Sequence, residues 1–181
     1  MPVTLLRHTT PDVARGICYG MSDLGLADSF PEEAQAVLES LSTVERIVTS
    51  PLQRCQRLAE HIGTSLSLSV QADARLREMD FGTWEGRAWS DIARAELDHW
   101  AADFLHARPH GGESVAMLTA RTREALAEYA ALQDHILIVT HAGVIKAALA
   151  TGRTAAAYAA TISYGGFITL IPPHQGPDHE H

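Results

Sequence analysis

Two short apolar runs, each ending at a histidine, constrain this chain more than any other feature. Val3 to Leu6 runs into Arg7-His8, and Ile136 to Val139 runs into Thr140-His141. Short runs of branched apolar residues read as strands buried on both faces, the mark of a parallel sheet. In an open parallel sheet, ligands gather just beyond the carboxyl ends of the strands. Two strand-end histidines, one beside an arginine, therefore predict a paired-imidazole site for an anion.

Strand and helix signals alternate along the rest of the chain. Residues 31–41 predict a helix, with Pro31 suited to a first helical position and Ala34, Val37, Leu38 and Leu41 on one face. Arg46 to Thr49 predicts a strand. Ser50-Pro51-Leu52-Gln53 has the pattern of a capping box and predicts a helix start. Leu66 to Val70 reads as a weak strand, 89–106 as a helix carrying Trp89, Trp100 and Phe104, and Glu113 to Ala131 as a long amphipathic helix. His135 to Thr140 is a strand, about 144–150 a helix, and Ile162 to Ile171 a last strand interrupted by Gly165-Gly166. Strands separated by helices predict an α/β fold with a mostly parallel sheet. Residues 80–112 hold all three tryptophans and the turn Pro109-His110-Gly111-Gly112. They read either as a cap over a site or as a helical packing insert.

Composition bounds the partners. With 46% hydrophobic residues in 181, the chain can build a packed core. A net charge of −8 argues against nucleic acid or an acidic membrane surface, so an anion site must be a local basic pocket. The two cysteines, Cys18 and Cys55, lack metal-ligand spacing and fit a reducing compartment. No apolar run approaches the roughly 18 residues that would span a bilayer. Met1-Pro2-Val3 leads straight into a strand without a charged leader. The expectation is a cytoplasmic protein, a monomer or a homodimer. The tail from Pro172, with His174, His179 and His181, reads as flexible; its histidines are metal ligands or solvated side chains.

Several residues between these runs have chemistry of their own. Arg7 offers a planar fork of donors matched to phosphate, and His8 beside it is a nucleophile when its second ring nitrogen is fixed by a carbonyl. Ser50 and Arg54 sit at a predicted helix start, where free N–H groups favour anions, although an ordinary cap and a surface arginine fit equally well. After His141, Ala142-Gly143 lets a ligand approach the backbone. Glu78, Asp80 and Glu85 lie within a Gly-marked apolar segment, and any one of them could be a general acid.

In this order, the residues resemble the histidine phosphatase superfamily, the phosphoglycerate mutase-like group. The likeness rests on Arg7-His8, Ser50-Pro51-Leu52-Gln53-Arg54, Leu76-Arg77-Glu78 with Phe81 to Gly86, Gly111-Gly112-Glu113-Ser114 and Thr140-His141-Ala142-Gly143. It implies a three-layer α/β/α sandwich with a small helical cap at about 80–112, formed as one domain over residues 1–171. It implies that His8 is the nucleophile that becomes phosphohistidine, and that Arg7, Arg54 and His141 hold the phosphoryl group. Glu78 would protonate the leaving oxygen and then activate water. Two arginines and two imidazoles can stabilise phosphoryl transfer without a metal, so neither metal nor cofactor is expected.

The first motif departs from the family pattern. Thr9 stands where glycine is usual, Thr10-Pro11 replaces a Glu-Thr pair, and Ala14 falls near the usual asparagine. Thr9 would either crowd the pocket or donate to the phosphate. Arg7-His8-Thr9 with Pro11, followed by Gly16 to Leu24, resembles the α-ribazole phosphatase branch, which implies α-ribazole 5′-phosphate as substrate in cobalamin synthesis. Tyr19 could then stack on a flat base, or it and Cys18 could be a packed loop; Ser50 and Ala142 would also face the substrate. The alternatives are a phosphoglycerate mutase-type phosphotransferase, a protein-phosphohistidine phosphatase and a non-catalytic phosphate-binding module.

Overall fold

A computed structural model describes residues 2–171. Strand β1 (Val3–Arg7) leads to helix α1 (Phe30–Ser40), β2 (Arg46–Thr49), α2 (Gln53–Leu66) and β3 (Val70–Ala72). Three short 3₁₀ turns and α3 (Arg94–Ala102) follow, then α4 (Val115–Ala130), β4 (Ile136–Thr140), α5 (Ala142–Leu149) and β5 (Phe167–Leu170). The five strands form one sheet in the order β3-β2-β4-β1-β5. Only β5 runs antiparallel, along one edge of β1.

Strand alternation explains the layers. Leu6, Ile47, Leu137 and Val139 point to one face and pack on Ala34 and Val37 of α1 and on Cys55, Leu58, Ala59 and Ile62 of α2. Val3, Leu5, Val48, Ile136 and Ile138 point to the other face, against Ala125 and Tyr129 of α4 and Ile145 of α5. Every residue of β4 is buried, as its unbroken apolar run requires. The result is the expected three-layer α/β/α sandwich.

Local boundaries differ from the sequence reading in four places. Leu66 to Val70 is not a strand: α2 runs through the exposed Leu66, Ser67 ends it in a left-handed turn (φ 56°), and pairing begins only at Val70. No capping box forms at Ser50. The helix starts at Gln53 after Leu52, without a side-chain cap; the Ser50 hydroxyl bonds His141 Nε2 and accepts from the Leu52 N–H at 3.3 Å. The 89–106 helix is shorter, a turn at Trp89–Asp91 followed by α3. The last strand covers only Phe167–Leu170, since Gly165 folds back to give its N–H to the Arg7 and His8 carbonyls at 3.1 and 3.0 Å.

The 80–112 segment packs around its aromatic side chains. Trp84 is fully buried with Cys18 and Ile92. Phe81, Trp89, Trp100 and His110 stand edge-on to one another or to Trp84. The loop at 16–18 is laced to it: Cys18 donates its N–H to the Arg87 carbonyl at 2.7 Å and accepts from Gly86 at 2.8 Å. Cys18 is therefore a packed residue, and burial pushes its thiol up to about 12. The tail histidines at 174, 179 and 181 lie outside the described residues.

Candidate active site

Register builds the site. β1 and β4 are parallel neighbours with Arg7 opposite Thr140, so the next residue of each strand, His8 and His141, emerges side by side. Their ring centroids are 5.3 Å apart at 61°. β2 lies on the other side of β4 with Thr49 opposite Val139, which puts Ser50 beside His141. Ser50 Oγ and His141 Nε2 are hydrogen-bonded at 2.8 Å. Three strand ends thus bring their first following residues to one point.

Both imidazoles are neutral. His8 Nδ1 lies 2.7 Å from the Thr9 carbonyl, which can only accept, so Nδ1 carries the proton and Nε2 keeps its lone pair. Burial drives the His8 pKa down to about 3; the Thr9 bond opposes this, and Arg54 and Arg7 add to it. His141 is also held well below its ordinary value, first by complete burial and then by His8 and the nearby arginines. Beneath it Cys55 is fully buried, its thiol donating to the Thr140 carbonyl and lying 3.4 Å from His141 Nε2. Burial raises the Cys55 thiol far above its ordinary value, which makes it a packing group and not a nucleophile.

The two arginines are the clearest sign of an anion site. Arg54 is fully buried, not the surface residue of one sequence alternative; its two Nη groups donate to the Ser22 and Gly20 carbonyls at 2.6 Å each. Arg7 donates to the Ile162 carbonyl at 2.6 Å and lies 4.0 Å from the Tyr164 ring centre. Among the described residues neither forms a salt bridge, and each leaves a buried Nε–H without a partner. Thr9 is fully buried too, its hydroxyl likewise unpartnered. A buried, unpaired cation such as Arg54 costs several kcal/mol, and a tetrahedral oxyanion between it and the half-buried Arg7 would supply both the charge and the acceptors. Ala14 is exposed.

Geometry separates the three carboxylates. Glu78 Oε1 accepts from its neighbour Met79 N–H at 2.9 Å, and Oε2 from Gly143 N–H at 3.0 Å, in the first turn of α5. Asp80 instead accepts from Gly82 N–H, and Glu85 from Gly20 and Ser22. Glu78 shares a cavity of about 470 Å³ with Arg7, His8, Tyr19, Ala142 and Gly143. Ser50, Arg54 and His141 are fully buried. Tyr19 lies over Arg54, 5.4 Å from its guanidinium carbon, and its hydroxyl bonds that of Tyr164 at 2.8 Å.

Two residues, Tyr164 and Arg121, escaped the sequence reading, and Gly143 gains a role beyond the one given there. Tyr164 covers Arg7 and ties to Tyr19. Arg121 of α4 donates to the carbonyls of Arg75 and Arg77 at 2.6 Å and of Glu78 at 3.0 Å, while both its Nε and Nη2 bond Glu113 at 2.8 Å. It holds the loop that presents Glu78. Gly143 is required by close approach, since a Cβ there would overlap Glu78 Oε1. Gly143→Ala is expected to displace that carboxylate and lower turnover of unactivated phosphomonoesters roughly 100-fold. The check is kcat measured alongside a thermal melt that stays near wild type.

The match to known proteins follows the same outline. The family model for the histidine phosphatase superfamily (branch 1) matches residues 3–164, and the chain belongs to that superfamily. Its relatives differ in what they act on. The adenosylcobalamin/alpha-ribazole phosphatase of Escherichia coli K12 is 30% identical over 83% of this chain and 78% of its own length. The "Probable phosphoglycerate mutase GpmB" of Klebsiella pneumoniae subsp. pneumoniae is 34% identical over 88% and 78%. A mycobacterial glucosyl-3-phosphoglycerate phosphatase solved with VO3 superimposes with a TM-score of 0.82 at 30% identity, covering 94% of this chain and 92% of that one.

Proposed function

We propose that this chain is a phosphomonoester hydrolase that works through a phosphohistidine on His8. The observation that carries this reading is the pair of neutral, buried imidazoles at 5.3 Å beside two arginines whose Nε–H groups lack partners. The His8 Nε2 lone pair attacks phosphorus as the bond to the leaving oxygen breaks, and Glu78 gives that oxygen a proton. Arg7, Arg54, His141 and the Thr9 hydroxyl face the charge that spreads over the phosphoryl oxygens. Glu78, now a carboxylate, takes a proton from water, whose oxygen attacks the phosphohistidine. Inorganic phosphate leaves and His8 is restored. Each role falls to a residue of the chain itself, and no step calls for a metal or cofactor.

The candidate substrate is α-ribazole 5′-phosphate, which would give the protein a place in cobalamin synthesis in the cytoplasm. The loop from Gly16 to Leu24 supports it, as does the aromatic wall of the cavity formed by Phe81, Trp89, Trp100, Phe104 and Tyr158. In a panel that adds phosphoglycerates, sugar phosphates, nucleotides and phosphohistidine peptides, α-ribazole 5′-phosphate is expected to have the highest kcat/KM. Phosphate release should be steady without bisphosphoglycerate, survive EDTA and be inhibited by vanadate. Turnover that starts only after bisphosphoglycerate priming would instead make the protein a mutase.

A further inference from the structure

The chain contains one lysine, Lys146, and it stands on the wall of the catalytic cavity. It is half-buried, and among the described residues it forms no salt bridge. Lys146 lies four residues after Ala142 in α5, so both occupy one face of the helix. One turn of α5, about 5.4 Å, therefore separates Lys146 from Ala142 and from the end of the cavity occupied by His8 and Glu78. Trp100, whose indole N–H is buried and unpartnered, lines the same cavity.

The remaining wall is apolar and flat-sided. Trp89 and Trp100 are nearly parallel, 13° apart, with Phe81 edge-on to both. Phe104 and Tyr158 continue the wall toward α5. A short polar leaving group such as a glycerate would leave these rings in contact with water. A flat ring system would cover them, and the Lys146 ammonium would then require an acceptor on its edge.

We propose that the cavity selects phosphomonoesters whose leaving group is a flat, largely apolar ring system with a hydrogen-bond acceptor on its far edge, and that Lys146 is the specificity-determining residue that recognises this acceptor. The assignment rests on the hydrolase reading and deepens it. It makes the rings of the cap a stacking surface and Lys146 the group that reads the end of the substrate. Phosphate itself is left to Arg7, Arg54 and the histidines.

The test compares two esters of matched shape and similar leaving alcohols. Naphthalen-2-ylmethyl phosphate has the rings without an acceptor; quinolin-6-ylmethyl phosphate adds one ring nitrogen. The wild-type protein is expected to prefer the quinoline ester about tenfold in kcat/KM. Lys146→Met is expected to bring the two esters within about twofold, and Lys146→Arg to keep most of the preference. Both esters should exceed 3-phosphoglycerate. Equal use of the two esters by the wild type, a preference that survives Lys146→Met, or better turnover of 3-phosphoglycerate would each overturn the proposal while leaving the hydrolase reading intact. Failure to hydrolyse any of these compounds, p-nitrophenyl phosphate included, would overturn both.

Discussion

Replacing His8 with alanine is expected to lower phosphatase turnover on the order of 10⁴-fold or more, with the fold retained. The size of the loss follows from the geometry. Burial leaves the imidazole neutral, and the Thr9 carbonyl fixes its proton on Nδ1, so the single lone pair is at Nε2. No other nucleophile stands in its place: Cys55 is sealed beneath His141 with its thiol protonated, and His141 Nε2 is already bonded to Ser50. Rapid acid-free quenching with radiolabelled substrate should trap an acid-labile phosphoryl group on the wild type and none on His8→Ala. Retention of the label in the variant, or full turnover without it, would remove His8 from the mechanism.

Glu78→Gln should be selective where His8→Ala is general. An amide keeps the side chain's shape but cannot pass a proton to a leaving oxygen. Alkyl phosphates, whose alcohols leave poorly, should slow about 100-fold or more, and p-nitrophenyl phosphate less than about tenfold, because its phenolate needs little protonation. The amide can still accept from Gly143 or Met79, so local structure should persist. Equal losses on both substrates would mean that the side chain positions the phosphate and does not move a proton.

What could be read from the sequence follows from how local each signal is. β1 and β4 were legible because both faces are buried and the apolar runs stop abruptly at polar residues. Their adjacency, and with it the meeting of His8 and His141, follows from strand pairing that no single segment reports. The choice among Glu78, Asp80 and Glu85 was open for the same reason: it depends on where the Gly143 N–H arrives from α5. Ser50 resembled a helix cap because its side chain suits one; its partner is a histidine on another strand. Arg121 read as one more charge on an amphipathic helix, although its donors hold three carbonyls of a distant loop. Residues 66–70 read as a strand because Leu66, Leu68 and Val70 alternate with serines, yet α2 runs through Leu66 and pairing begins only at Val70.

The pairing of Arg7 with Thr140 has a consequence for how the molecule comes to life. One imidazole follows β1 and its mate follows β4, 133 residues further along, so a growing polypeptide holds half a reaction centre until residue 141 has been synthesised. β4 must then insert between two strands already made, β1 and β2. Such long-range closure is slow compared with helix formation. Regain of catalysis during refolding should therefore lag behind helical circular dichroism and coincide with completion of the sheet.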